Sequence, residues 1–251
     1  MSKPYFTYGL ASTKGTSRDV NQDTAIALTW SDVPRFEGQN ISLFIVADGM
    51  GGAAGVKASQ VAVQIVAEEI TTDIFHQSVV SINLIMTAAV QKANRQVFAD
   101  ASDGSEATLT AALLIGNQAY IAHVGNTLAY YVSEKHMIQL TETHDLIALG
   151  HITWEDIEAG HHVRNALYRA LGQSEDLEVD IITKLLEPSS YLLLSTDGLW
   201  ALHRKDFGEI KPLSVIQNNP PQLACELLTE LSQKCGSGDD ITVIVIKLSE
   251  E

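Results

Sequence analysis

The chain has 251 residues, of which 45% are hydrophobic, and a formal net charge of −15. This length supports one large hydrophobic core or two small ones. Because 16 Lys and Arg face 31 Asp and Glu, the composition argues against the basic surface of a nucleic-acid-binding protein. No apolar run approaches the roughly 20 residues that span a bilayer, and the first residues lack a signal-peptide pattern. We expect one cytoplasmic domain over residues 1–251, without nucleic-acid or membrane partners.

Apolar periodicity and turn signals predict a series of short strands and three helices. In chain order these are a strand at 41–47, helices at 53–70 and 81–98, strands at 108–115, 118–124, 128–133, 137–140 and 191–195, a helix capped by Asn219 with Leu223, Leu227, Leu228 and Leu231 on one face, and a strand at 241–248. This order is not a βαβ repeat, so it indicates an antiparallel α+β fold. Weak periodicity over 145–163 predicts a flap-like inserted segment.

Four aspartates lie at the ends or edges of predicted strands: Asp23, Asp48, Asp197 and Asp239. A carboxylate is costly to bury there unless it is paired, hydrogen-bonded or bound to a metal. Each one alone is compatible with a turn or helix-capping residue. Four together, with few basic neighbours, are better explained by divalent cations. An all-oxygen set without a Cys or His cluster favours magnesium or manganese over zinc.

Gly49 follows Asp48 directly, and we predict that its carbonyl also binds a metal, because glycine lets the backbone approach closely. The run Gly49–Ala54 formally matches a dinucleotide-binding loop as well. Asp48 would repel a pyrophosphate at that position, and no second parallel strand follows. We therefore favour the metal-binding interpretation.

Arg18 is the candidate residue for binding a substrate phosphate. Its planar guanidinium can pair with two phosphate oxygens at once. The alternative is a surface salt bridge with Asp19 or Glu37, and the sequence leaves both interpretations open.

The motifs follow one another in an order typical of one enzyme family. They are Gly15-x-x-Arg18-x-x-Asn21-Gln22-Asp23, Ala47–Gly52, Ala107–Ala111, Val124–Asn126, Leu140-Thr141-x-x-His144, Asn165-x-x-x-Arg169-Ala170-Leu171-Gly172, Ser195–Trp200 and Asp239–Val243. In this order they resemble the metal-dependent PPM-type Ser/Thr protein phosphatases, the protein phosphatase 2C family, in its compact bacterial form. The resemblance covers residues 7–248.

The resemblance implies an α+β fold with four layers, α-β-β-α, in which two central antiparallel sheets lie between helices. It implies two Mn2+ or Mg2+ ions per chain, with Asp48 as the bridging ligand, and phosphate binding by Arg18. The catalytic set is then Arg18, Asp48 and Asp197. The implied metal ligands are Asp23, Asp48, the Gly49 carbonyl, Asp197 and Asp239.

Several positions depart from the family pattern, among them Asn126 and Leu128. Asn126 stands where family members usually carry an aspartate that helps to hold a third metal, and Leu128 replaces a frequent arginine. Asparagine keeps an oxygen that could bind a third metal but loses the charge, which weakens such a site.

The function implied is hydrolysis of phosphoserine and phosphothreonine in proteins by a metal-bridging hydroxide, without a phosphoenzyme. The expected partners are phosphorylated proteins, the products of a Ser/Thr kinase, and we expect a monomer. The alternative is a catalytically weak, phosphoprotein-binding regulatory module of the same fold, which Asn126 and Leu128 motivate.

Overall fold

The structure is a computed structural model that describes residues 5–76, 81–100, 104–151, 167–202 and 212–249. Its strands are β1 (Tyr5–Thr13), β2 (Asp23–Val33), β3 (Gln39–Met50), β4 (Glu106–Ala107), β5 (Leu109–Ile115), β6 (Gln118–Val124), β7 (Leu128–Val132), β8 (Met137–Gln139), β9 (Asp180–Leu185), β10 (Tyr191–Ser195) and β11 (Ile241–Ser249). Its α-helices are α1 (Ala53–His76), α2 (Ile82–Asp100), α3 (Pro212–Asn218) and α4 (Pro221–Lys234). Short 3-10 helices cover Pro34–Phe36 and Asp197–Leu202.

Among the described residues, the strands form two antiparallel sheets. One has the order β2-β3-β5-β6-β9, with β4 paired to β3 at one end, and the other has the order β1-β11-β10-β7-β8. Apolar side chains from the inner faces of both sheets form a common core. Helices α1 and α2 pack on the outer face of the first sheet, and α3 and α4 pack on the outer face of the second. The predicted four-layer α-β-β-α sandwich is therefore confirmed.

The central position of strand β3 explains why its sequence is almost continuously apolar. Phe44 and Val46 point into the core between the sheets, whereas Leu43 and Ile45 point towards α1 and α2. Since successive side chains of a strand point to opposite faces, a central strand covered on both faces must be apolar at every position. This strand carries Asp48 near its end, so the core fixes the position of that carboxylate.

Apart from the two-residue β4, the strands that the sequence did not reveal lie at sheet edges. These are β1, β2 and β9, and they pair on one side with β11, β3 and β6, respectively. Edge strands are partly exposed and carry polar residues, so their apolar pattern is weak. Within the described ranges, no helix has the length and apolar character needed to cross a bilayer.

The predicted apolar face of the C-terminal helix was wrong in part. The N-cap is Pro220, not Asn219, and Leu223 is 42% exposed. The buried face instead consists of Ala224, Cys225, Leu228, Thr229 and Ser232. Small side chains face the sheet because α4 lies close to β1 and β11: an added Cβ at Gly9 of β1 would lie 2.3 Å from the Gln222 backbone.

Candidate metal site

The two sheets bring the predicted aspartates to one edge of the sandwich. Asp23 and Asp48 are direct partners in the antiparallel pairing of β2 with β3. Asp197 begins the 3-10 helix that follows β10, and Asp239 lies just before β11. Because β10 pairs with β11, these two aspartates also come to the same edge, although they belong to the other sheet.

Asp23 joins the two sheets through hydroxyl groups. Its Oδ2 accepts hydrogen bonds from the Thr196 hydroxyl at 2.9 Å and the Thr242 hydroxyl at 2.7 Å. Burial raises the pKa of Asp23 to about 7, although the hydrogen bonds from the two hydroxyls lower this pKa. Its Oδ1 is buried and has no hydrogen-bond partner among the described residues. A buried oxygen of this kind is suited to a cation.

Asp48 is a buried carboxylate that feels the charges of the other three aspartates. It is only 8% exposed. Burial raises its pKa well above the ordinary value, and the charges of Asp23, Asp197 and Asp239 raise it further, while Arg18 opposes them. Asp48 therefore lies at the electrostatic centre of the predicted site.

The loop after Asp48 is packed closely against the start of α1. A Cβ atom added to Gly49 would lie 2.0 Å from the carbonyl oxygen of Gly55. The Gly49 amide donates to the carbonyl of Gln22 at 3.2 Å, and Asp48 exchanges two hydrogen bonds with Thr108. These contacts hold the Asp48–Gly49 peptide in place from both sides, so glycine is required here by the absence of space for a side chain.

Arg18 points into the site but binds a carboxylate there. Its Nε and Nη2 lie 2.7 and 2.6 Å from the same oxygen of Asp239, and its Nη1 makes a longer hydrogen bond of 3.3 Å to Gln22. The side chain remains 36% exposed. The predicted alternative partners were Asp19 and Glu37, and the observed ion pair is with neither of them.

The site fits a divalent cation by the chemistry of its donors. The available groups are carboxylate, amide and backbone oxygens, the ligand types that magnesium and manganese prefer. Asp23 Oδ1 and Asn126 Oδ1 are buried without a hydrogen-bond partner in the described part of the chain. As the side chains are placed there, no three His, Cys, Asp or Glu side chains converge tightly enough to hold an ion. The individual ligand assignments therefore stay predictions.

A model of the protein phosphatase 2C family matches residues 17–231. The chain belongs to the protein phosphatase 2C family. The serine/threonine phosphatase stp of Listeria welshimeri is 30% identical over 218 residues, which cover 83% of this chain and 85% of that protein. The PPM Ser-Thr phosphatase MsPP of Mycobacterium smegmatis, solved with cacodylate, is 28% identical with a TM-score of 0.76, and the match covers 96% of this chain and 97% of that chain. The catalytic domain of the phosphatase PstP, solved with 2 manganese ions, has the same fold, with a TM-score of 0.78 at 24% identity over 98% and 100% of the two chains.

The predicted family, fold and class of enzyme are thus confirmed: the protein is a metal-dependent protein phosphatase of the 2C type. The domain assignment stays a prediction, and its flap-like segment at 145–163 lies mostly outside the described residues.

Asn126, where this phosphatase departs from the family pattern, contacts a predicted metal ligand. Its side-chain amide donates a hydrogen bond of 2.9 Å to Oδ2 of Asp197. An aspartate at this position would instead place a second negative charge beside Asp197. The contact places Asn126 against a predicted ligand, and its part in binding a third metal stays a prediction.

Asp240 is a residue of the phosphatase site whose role the sequence analysis missed. It is 2% exposed, and its two oxygens each accept a backbone hydrogen bond of 2.8 Å, from Gly15 and from Gln22. It therefore fixes the loop that carries Arg18 and Asp23. The only sequence signal was a second aspartate beside Asp239, which does not reveal which of the two faces the loop.

We expect Asp240→Ala to destabilise the phosphatase by about 2–4 kcal/mol, because it leaves two buried amides without acceptors. Chemical denaturation would measure this loss. Asp239→Asn is the matched variant, since Asp239 is more exposed, and we expect it to weaken metal binding with a much smaller loss of stability. Equal stability losses in the two variants would contradict the different roles assigned to these neighbouring residues.

Proposed function

We propose that this phosphatase hydrolyses phosphoserine and phosphothreonine in proteins with two divalent cations, Mn2+ or Mg2+. The observation that carries the proposal is the environment of Asp48, a buried carboxylate whose pKa is raised by burial and by three further aspartates. Such crowding is unfavourable unless cations offset the negative charge. We assign the ions to Asp23, Asp48, the Gly49 carbonyl, Asp197 and Asp239.

When bound, the cations supply Lewis acidity, which favours hydroxide formation from water near neutral pH and offsets charge on the phosphoryl group. The other roles belong to the chain itself. Thr196 and Thr242 hold Asp23 between the sheets, and Thr108 holds the backbone of Asp48. This preorganisation keeps the negative oxygens together before the substrate binds.

Arg18 is the proposed phosphate-binding residue. Its guanidinium is held at the site by Asp239 and is exposed enough to be reached by a phosphate oxygen. A positive group at this position attracts the phosphate dianion to a site that is otherwise acidic. The Listeria and M. smegmatis proteins are named as serine/threonine phosphatases, which supports the same substrate class here. We propose products of Ser/Thr kinases as substrates and a monomeric enzyme.

The proposal is tested with purified protein, millimolar Mn2+ or Mg2+, p-nitrophenyl phosphate and matched phosphothreonine, phosphoserine and phosphotyrosine peptides. We expect metal-dependent release of phosphate, faster from the phosphothreonine and phosphoserine peptides than from the phosphotyrosine peptide, and its loss on chelation. Failure on both p-nitrophenyl phosphate and the phosphothreonine peptide would refute the proposal. Tight peptide binding with negligible turnover would support the regulatory module instead.

Metal binding should release protons near neutral pH. Burial raises the pKa of Asp23 from 3.8 to about 7, so the folded, metal-free chain holds a proton there that the unfolded chain loses. This proton stabilises the metal-free fold at low pH, and the stabilisation is lost as the pH rises through about 7. A cation requires the ionised carboxylate, so we expect Mn2+ affinity to rise over the same range.

Titration calorimetry at pH 6.5 in two buffers with different ionisation enthalpies measures this release. We expect different apparent heats in the two buffers and a smaller difference for Asp23→Asn. Identical heats for the native protein would contradict the expected coupling.

A further inference from the structure

The turn between β6 and β7 carries Asn126 to the site and is tightly restrained. Gly125 has a φ of +104°, in the region that favours glycine. A Cβ atom there would lie 2.6 Å from the side chain of Thr108, the residue that also holds the Asp48 backbone. The next residue, Asn126, donates its side-chain amide to Asp197. A displacement of this turn therefore moves a contact to a predicted metal ligand.

His144 holds this turn through both backbone groups of one residue, Gly125. Its Nδ1 accepts a hydrogen bond of 2.9 Å from the Gly125 amide, and its own amide donates at 2.8 Å to the Gly125 carbonyl. The residue is only 1% exposed. Buried hydrogen bonds of this kind are costly to lose because water does not replace them.

The opposite edge of the ring is also fixed. Since Nδ1 accepts a hydrogen bond, the ring proton lies on Nε2, which donates to Asp180 Oδ2 at 3.1 Å. Arg169 holds the other oxygen of Asp180 at 2.6 Å. The orientation of the imidazole is therefore set by groups outside the turn.

We propose that His144 is a positioning residue of the metal site. Through Gly125 it fixes the Asn126 amide against Asp197 and so presents that carboxylate to the cations. This inference rests on the proposed function, because it assigns Asp197 as a metal ligand.

His123 provides a matched comparison, because it belongs to the same buried cluster. The two imidazole rings lie 4.8 Å apart, and His123 is 0% exposed. Its ring nitrogens contact the Thr110 hydroxyl at 2.9 Å and the Glu142 carbonyl at 2.8 Å. None of its side-chain hydrogen bonds within the described ranges reaches Gly125 or Asn126. His123 reaches the turn indirectly, because its partner Thr110 also contacts Thr127, the residue after Asn126. Substitution of His123 thus measures the cost of losing a buried histidine while both hydrogen bonds between His144 and Gly125 are kept.

Two substitutions of His144 distinguish the roles of its two ring nitrogens. Asparagine has an oxygen near the position of Nδ1, so His144→Asn retains an acceptor for the Gly125 amide. Glutamine is longer and places its amide near the position of Nε2. His144→Gln therefore retains the contact to Asp180 and loses the side-chain acceptor for the Gly125 amide. His123→Gln is the control.

The primary measurement is the Mn2+ dissociation constant by titration calorimetry, with thermal unfolding of each metal-free variant alongside. We expect His144→Gln to weaken Mn2+ binding about tenfold, as for one lost buried hydrogen bond. His144→Asn and His123→Gln should stay within about twofold of the native protein, the precision at which such contacts are compared. Saturating Mn2+ should restore most of the turnover of His144→Gln.

Equal Mn2+ affinity in His144→Gln and His144→Asn would overturn the proposal, as would equal weakening by His123→Gln. If His144→Gln does not fold, Asn126→Ala replaces it, because it removes the amide through which His144 is proposed to orient Asp197. Unchanged Mn2+ affinity in that variant would also overturn the proposal. A native protein that binds Mn2+ but hydrolyses no phosphoester would refute the proposed function and leave this comparison intact.

Discussion

We expect Asp197→Ala to lower phosphatase turnover by about a thousandfold or more and to leave the fold intact. Asp197 contributes one of the carboxylates that crowd Asp48, and its side chain is oriented by Asn126. Without this carboxylate the site loses a predicted ligand of one cation. The metal-free protein loses a repulsive charge at the same time, so we expect its unfolding temperature to change by only a few degrees.

Turnover of p-nitrophenyl phosphate and a phosphothreonine peptide at saturating Mn2+ measures this effect, and titration calorimetry measures the lost metal affinity. Asp19→Ala is the control: it removes a carboxylate from the exposed part of the loop that carries Arg18, and we expect native turnover. Full activity in Asp197→Ala would show that its assignment as a metal ligand is wrong.

Gly49→Ala is expected to cost about 2–4 kcal/mol of unfolding free energy and most of the activity. The added methyl group would lie 2.0 Å from the Gly55 carbonyl oxygen, a backbone atom that moves only if the first turn of α1 moves. The same displacement shifts the Gly49 carbonyl, a predicted metal ligand, and the adjacent Asp48. Stability and metal affinity should therefore decrease together.

Gly52→Ala in the same loop is the matched control for Gly49→Ala. Gly52 has a φ of +66°, and nothing lies within 4 Å of a Cβ atom added there. Alanine at this position adds backbone strain of about 1–2 kcal/mol without steric overlap. Chemical denaturation of both variants separates the two causes, and a loss no larger in Gly49→Ala than in Gly52→Ala would contradict the packing argument.

The architecture of the site makes metal binding and folding interdependent. Asp23 and Asp48 belong to one sheet, whereas Asp197 and Asp239 follow or precede strands of the other. The hydroxyls of Thr196 and Thr242 connect the two groups through Asp23. Cations bound between these carboxylates would link the sheets more strongly, so we infer that the phosphatase gains stability when it binds metal.

Several features of the site were predictable because their signals are local. The apolar strand that ends near Asp48, the adjacent Gly49 and the glycine-rich entry into α1 are contiguous in sequence. A buried central strand needs apolar residues on both faces, and a close turn needs glycine. The order of the motifs indicated the family, and the family implied the sandwich fold and the expected metal ligands.

Contacts between distant segments were not predictable in this way. Arg18 pairs with Asp239, 221 residues away, and not with the nearby acids that its sequence context suggested. The weak apolar pattern of edge strands concealed β1, β2 and β9. In α4, Leu228 is buried as predicted, but small residues form the rest of the buried face because the helix packs closely on the sheet.

The sequence by itself determined which residue types could bind a divalent cation and that this chain is a phosphatase of the 2C type. Only the tertiary structure decided that Asp240 binds backbone amides while Asp239 faces the site. It also decided that His144 is hydrogen-bonded to the turn that carries Asn126. The physical reason is that composition and periodicity specify chemistry and burial along a segment. The partner of a buried polar group, in contrast, depends on which strands are adjacent after folding.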